Sequence, residues 1–282
     1  MSAEPIQLPL LVEAEHILPL LDHPLIRIVD LSRPAVYEQV HLPNAQALPH
    51  ALLVRHDEHA AGLLPNIEQL KRLVDTLAIS PQHHVVVYDD EGGAWAGRLI
   101  WTLEAIGFHR VSLLNGGIHA WLAAGLPTSM EPFSPTPSDN PVAIHLNLDH
   151  RIEIEELRQA VAQVETPFNV WDCRTKEEYT GERLAARRGG HIPTAFHLEW
   201  STALNRQDSL RLRSLDVIRQ KLLDRGLDEQ KTVVVYCQTH HRSGLAYILA
   251  RLLNLKVRAY DGAWSEWGNR LDTPIVTGEQ PT

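Results

Sequence analysis

Short runs of consecutive apolar residues alternate along this chain with longer stretches in which apolar positions recur every three or four residues. The continuous runs are IRIVDL (26–31), HVVVYD (84–89), FNVWDC (168–173) and TVVVYC (232–237). The helical period is clearest in IEQLKRLVDTLAI (67–79) and LDVIRQKLLDRGL (215–227). A strand that is apolar at every position is buried on both faces, as happens in mostly parallel sheets covered by helices. The pattern predicts α/β domains, each a mostly parallel sheet flanked by helices, with loops at the carboxyl ends of the strands forming the site.

The pattern occurs twice. VVVYD (85–89), GRLIWTLEAIG (97–107) and VSLLNGGIHAW (111–121) return as VVVYC (233–237), SGLAYILARLLN (243–254) and VRAYDGAWSEW (257–267). Asp89 and Cys237 are 148 residues apart, and Trp121 and Trp267 are 146 apart. That period is far above solenoid values and indicates a duplicated domain. Between the copies, PTSMEPFSPTPSDNP (127–141) holds five prolines, which exclude a helix or an interior strand. The expected organisation is a non-catalytic domain over 1–126, a linker over 127–148 and a catalytic domain over 149–282, in keeping with a length of 282 residues.

Composition adds exclusions. With 44% hydrophobic and 22% charged residues the chain has the apolar content of a globular protein and none of the depletion of disorder. A net charge of -9 without a Lys/Arg block leaves no field for a polyanion, so nucleic acid is not expected as a partner. The N-terminal stretch carries Glu4, Glu13 and Glu15 and lacks a basic segment followed by an apolar one, and no apolar run is long enough to span a bilayer. The expectation is a cytoplasmic protein with no membrane partner. Cys173 and Cys237 are the only cysteines, too few for a disulfide framework.

Cys237 follows a buried strand, and a helix is predicted to begin near Ser243 or Gly244. The loop between reads Cys237, Gln238, Thr239, His240, His241 and Arg242. Such a turn presents backbone N–H groups that lack intrahelical partners, and so holds an anion. The helix dipole and Arg242, with either histidine when protonated, favour thiolate over thiol. The competing reading, a small apolar residue ending a strand, is the usual fate of a cysteine without such a loop.

By the strand-Cys-loop-helix, Asp172-Cys173-Arg174, Gly190-His191-Ile192-Pro193 and the terminal DGAWSEW, nearly the whole chain resembles a tandem-domain rhodanese. The loop is similar to that of bacterial thiosulfate sulfurtransferases. The resemblance implies that Cys237 alternates between thiolate and persulfide, with the loop from Cys237 to Arg242 cradling the outer sulfur. It also implies a sulfane donor such as thiosulfate, and an acceptor that is cyanide, a small thiol or a protein thiol. No cofactor is implied. A cysteine phosphatase has a similar cradle with the pattern C-x-x-x-x-x-R; the loop here is one residue shorter and suits a single sulfur atom. A sulfur-carrier module and a silent scaffold are the remaining alternatives.

Asp172 and Arg174 resemble the family's D-x-R pair, which is expected to brace the loop as an internal ion pair. Arg242 either attracts a dianionic donor or bridges to an acidic residue of the other domain. His240 and His241 are expected to be solvated, and with Cys237 they lack a fourth ligand for zinc, so no metal site is expected. Cys173 should point to the other side of its strand from Asp172 and Arg174 and be buried, with a disulfide to Cys237 as the lesser alternative. Tyr260, Trp264 and Trp267 are expected to pack in a core or between domains, with a substrate cage as the lesser alternative. The first copy has Asp89, Asp90 and Glu91 where the second has Cys237, and their like charges should repel thiosulfate or a persulfide.

Donor choice follows from one position. Enzymes of this family that use 3-mercaptopyruvate are expected to carry an arginine before the aromatic residue that follows D-x-R, and here Glu178 precedes Tyr179. Their loop also resembles C-G-S-G-x-T, unlike the one here. The expected outcome is a kcat/KM for thiosulfate at least about tenfold above that for 3-mercaptopyruvate with cyanide as acceptor; equal or reversed preference in steady-state kinetics would contradict it.

Overall fold

The computed structural model describes residues 6–281; Glu4, used above in reading the N-terminal stretch, lies outside them. Strands β1 (Leu11–Val12), β2 (Ile26–Asp30), β3 (Ala45–Ala47), β4 (His84–Tyr88) and β5 (Val111–Leu114) form one sheet in the order β1-β5-β4-β2-β3. In the second half, β6 (Phe168–Asp172) and β7 (Phe196–His197) are followed by a short antiparallel ribbon of β8 (Leu204–Asn205) and β9 (Arg211–Leu212). β10 (Thr232–Tyr236) and β11 (Val257–Ala259) complete a second sheet in the order β11-β10-β6-β7. Every pairing within the two larger sheets is parallel.

The chain forms two compact units. One contains the chain up to Leu53, Pro65–Asn147 and Leu204–Leu212; the other contains Val54–Leu64, Leu148–Ala203 and the chain from Arg213 onward. Each unit therefore includes a short segment from the other half of the sequence. No helix among the described residues is long and apolar enough to cross a membrane.

Local chemistry sets the elements. The helix Ile67–Leu77 starts at a capping box in which Asn66 and Gln69 exchange hydrogen bonds, and it buries Leu70, Leu73, Val74 and Leu77 on one face. All five residues of β4 are buried, as a strand covered on both faces requires. In the second unit, Val170 of β6 and Val234 and Tyr236 of β10 meet Tyr260, Trp264 and Trp267 in one core cluster. These aromatic residues are core packing within their own unit.

The duplication extends to individual hydrogen bonds. His41 stacks on Tyr37 at 3.9 Å and its Nδ1 lies 2.7 Å from the Tyr37 carbonyl; His191 stacks on Tyr179 at 3.7 Å with its Nδ1 2.9 Å from the Tyr179 carbonyl. Trp121 and Trp267 each donate an indole N–H to a proline carbonyl, of Pro127 and Pro274, at 2.7 Å. Buried polar groups need partners, so each copy keeps the same wiring at its buried histidine and tryptophan.

The loops after β4 and β10 diverge in one respect. In the first unit the Asp89 side chain turns into its own loop, accepting from the N–H groups of Glu91 at 3.0 Å and Gly93 at 2.8 Å through Oδ1, and of Ala96 at 3.0 Å through Oδ2. Burial raises the Asp89 carboxyl above its usual range, with these three donors working against that rise. Asp90 is paired with Arg33 at 2.6 Å. In the first copy three loop N–H groups are thus taken by its own Asp89 side chain, whereas the sequence suggests only like-charge repulsion. Asp89→Ala is expected to lower stability by on the order of 2–4 kcal/mol, since the N–H groups it serves lose their acceptor. Denaturant unfolding checks this, and an unchanged midpoint would show that those amides are satisfied in another way.

Candidate functional site

Cys237 follows β10 directly and is fully buried. The helix after the loop runs Arg242–Leu252, one residue earlier than the sequence suggests. The loop carbonyls are tied outward: Trp264 N–H donates to the Cys237 carbonyl at 3.0 Å and Ser265 N–H to that of Gln238 at 2.9 Å. With those oxygens turned away, the N–H groups of Thr239 and Ser243 and the Ser243 hydroxyl are directed at the Cys237 sulfur. Burial by itself pushes the thiol up. The Arg242 charge, then the Ser243 hydroxyl and the two N–H groups, outweigh it and hold the thiol below its ordinary value.

Around this sulfur the other loop residues take distinct positions. Gln238 reaches away and donates its side-chain amide to the Ala185 carbonyl at 2.7 Å. His240 is fully buried, where solvation was expected; its Nδ1 lies 2.8 Å from the Ser243 hydroxyl, and its φ of 53° is held in the left-handed region. His241 is half-buried at the helix N-cap. Arg242 forms a two-pronged ion pair with Glu178, at 2.7 and 3.0 Å, within its own unit and not with the other domain. Burial pushes the Glu178 carboxyl up, but Arg242 and the Thr175 N–H bring it down to about 2. Glu178 is consequently no free charge beside the loop, and the repulsion expected of it is largely cancelled by its partner.

Asp172 and Arg174 lie together, both fully buried, with Nη2 2.6 Å from Oδ2. The same Asp172 oxygen accepts from the Tyr236 hydroxyl at 2.6 Å, one residue before Cys237, and Arg174 also donates to the Gly190 carbonyl at 2.6 Å. The pair fastens β6 to β10 at the point where the loop leaves the sheet. Cys173 is free and fully buried beside it, its N–H donating to the Tyr236 carbonyl at 3.0 Å. Burial, then the nearby Cys237 charge, push its thiol well above the ordinary value. The two cysteines are thus driven in opposite directions by adjoining environments. Among the described residues no three His, Cys, Asp or Glu side chains gather so as to hold a metal ion.

The family model for the rhodanese-like domain matches residues 13–124 and again residues 153–270. The chain belongs to the rhodanese family. Among its relatives, the thiosulfate sulfurtransferase of Azotobacter vinelandii is 40% identical over 95% of this chain and 97% of its own length. That of Pseudomonas aeruginosa is 38% identical over the same shares. Among solved structures, the anaerobic ergothioneine biosynthesis enzyme from Chlorobium limicola, in complex with trimethyl histidine, superposes with a TM-score of 0.84, covering 95% of this chain and 70% of that one at 23% identity. That likeness shows the tandem rhodanese fold.

In this rhodanese Ser243 does more than open a helix, which is all the sequence alone assigns it. The signal available was a hydroxyl residue directly after the loop arginine, in the first helical turn, where it can reach back to the loop. Alkylation of Cys237 followed against pH by mass is expected to give a midpoint below the ~8.5 of an ordinary cysteine. Glu178→Gln should move it lower still by leaving the Arg242 charge uncompensated, while Cys173 stays unlabelled over the same range. An upward move on Glu178→Gln would contradict this account of the loop.

Proposed function

We propose that the protein is a thiosulfate sulfurtransferase in which Cys237 carries the transferred sulfur as a persulfide. The observation that carries the reading is a buried thiol held below its ordinary pKa by Arg242, Ser243 and the Thr239 N–H at a strand-to-helix turn. Relatives at 40% and 38% identity over nearly the full length, named thiosulfate sulfurtransferase, support the donor. The first unit adds independent support. The carboxylate oxygens of Asp89 stand two bonds beyond Cβ, as the outer sulfur of a cysteine persulfide does, and between them they accept from three loop N–H groups, Oδ1 from Glu91 and Gly93 and Oδ2 from Ala96. At the corresponding position the second unit carries Cys237, whose sulfur ends one bond beyond Cβ, one atom short of where those oxygens stand.

The reaction is two displacements. The Cys237 thiolate attacks the outer sulfur of thiosulfate; the new S–S bond forms as the old one breaks, and sulfite leaves with the bonding pair. The negative charge on the terminal persulfide sulfur is met by the loop N–H groups and by Arg242, without a proton transfer. An acceptor nucleophile, cyanide or a thiol, then takes that sulfur and returns Cys237 to thiolate, so the kinetics are ping-pong. Burial shields the persulfide from bulk water and oxidant. Cys173, kept as a neutral thiol, does not compete for the sulfur, since attack needs the thiolate.

Intact mass decides. Thiosulfate treatment is expected to add about 32 Da to the protein and cyanide to remove it, as a covalent intermediate requires. Cys237→Ala should abolish both the gain and thiosulfate:cyanide turnover, and Cys173→Ser should retain both. Turnover above background in Cys237→Ala would rule out the proposed carrier.

A further inference from the structure

The unit that holds Cys237 includes Val54–Leu64, a segment from the first half of the chain. It is a hairpin, closed by Arg55 and Leu63 exchanging N–H to carbonyl hydrogen bonds at 2.9 and 3.0 Å. Its tip is turned by Asp57, whose Oδ1 accepts from the N–H groups of His59 at 2.9 Å and Ala60 at 2.8 Å. Its return arm is anchored at Ala61 and at Leu64. Ala61 N–H donates to the Ser265 hydroxyl at 3.1 Å, and Leu64 N–H donates to Asp261 Oδ2 at 2.7 Å, with Asp261 in turn paired to Arg151 at 2.7 Å.

Between those anchors lies Gly62. A Cβ placed there would stand 2.6 Å from the carbonyl carbon and 2.8 Å from Cα of Thr239, and closer still to the Thr239 carbonyl oxygen. Gly62 is not among the glycines with positive φ, so what the position demands is space and not an unusual backbone angle. The obstacle is loop backbone and cannot swing aside as a side chain would. The preceding carbonyls of Cys237 and Gln238 are fixed by Trp264 and Ser265, so displacement of the loop would fall on Thr239 and on His240, already at a φ of 53°.

We propose that Gly62 is a positioning residue of the sulfur cradle: it lets the hairpin seat against Thr239 and so keeps the Thr239 N–H on the Cys237 sulfur. The proposal rests on the reading of Cys237 as the sulfur carrier, but its geometry concerns the thiol itself. Ser265 serves the same end from two sides, its hydroxyl holding Ala61 and its N–H holding Gln238.

The test compares the full chain with Gly62→Ala and Ser265→Ala, reading three quantities: the pH midpoint of Cys237 alkylation, the rate at which thiosulfate adds sulfur by mass, and the melting temperature. Gly62→Ala is expected to raise the alkylation midpoint and to slow sulfur loading by about tenfold or more, the scale of a sub-ångström to ångström misplacement. Ser265→Ala, which loosens the hairpin without adding an atom, should move both in the same direction by less, and it decides the matter if Gly62→Ala does not fold. A lowered melting temperature with an unchanged midpoint and unchanged loading would reduce Gly62 to a packing role and overturn the proposal. If the unaltered protein gains no sulfur while Gly62→Ala still raises the midpoint, positioning stands and the sulfurtransferase reading falls.

Discussion

A charge removed from water must recover its lost hydration from the protein, at a cost of several kcal/mol where it does not. Cys237 is fully buried and yet its thiol is held below the ordinary value. Satisfying both conditions constrains the whole neighbourhood. N–H groups can face the sulfur only where their peptides turn the carbonyls outward, and outward carbonyls in a buried loop need donors of their own. The helix Ala263–Trp267 and the residue Ser265 within it supply them. The ion pair of Asp172 and Arg174 then fixes the strand ends from which the loop departs, through the Tyr236 hydroxyl.

Arg242 shows how finely this is balanced. Its charge is the chief influence lowering the Cys237 thiol, and it is shared with Glu178 in a two-pronged pair. A lone arginine would bind an incoming dianion more tightly but would also hold the departing sulfite. Were Arg242 to meet the donor as proposed, a partly compensated cation would supply attraction without a deep trap, which suits a site that releases an anion on every turnover.

Much of this was legible in the sequence. The duplication followed from period and spacing, the parallel sheets from runs apolar at every position, and the loop chemistry from a cysteine set between a buried strand and an arginine. Asp172 and Arg174 were readable because both lie in one short motif. The remainder was hidden for a common physical reason: it depends on which distant group a side chain meets. Glu178 reads as a repelling charge until Arg242 is seen beside it, and His240 reads as solvated until its burial against Ser243 is seen. Asp89 reads as one of three like charges, and only coordinates reveal it folded into its own amides. Gly62 stands far from Thr239 in the chain, and a requirement for empty space leaves no pattern of polarity or period.

The segment Val54–Leu64 also bears on whether the two halves of the gene are separable modules. A duplicated domain suggests that the copy without a cysteine is dispensable and that residues 149–282 would make a minimal catalyst. Yet the hairpin that seats against Thr239, held by Asp261 and Ser265, is encoded in the first half. A fragment cut at the repeat boundary would carry Cys237 and Arg242 but leave Asp261, Ser265 and one side of the Thr239 peptide without the chain that covers them. The first half of the chain is in this sense a supplier of parts to the unit that holds Cys237, and the two repeats are not separable along their sequence boundary.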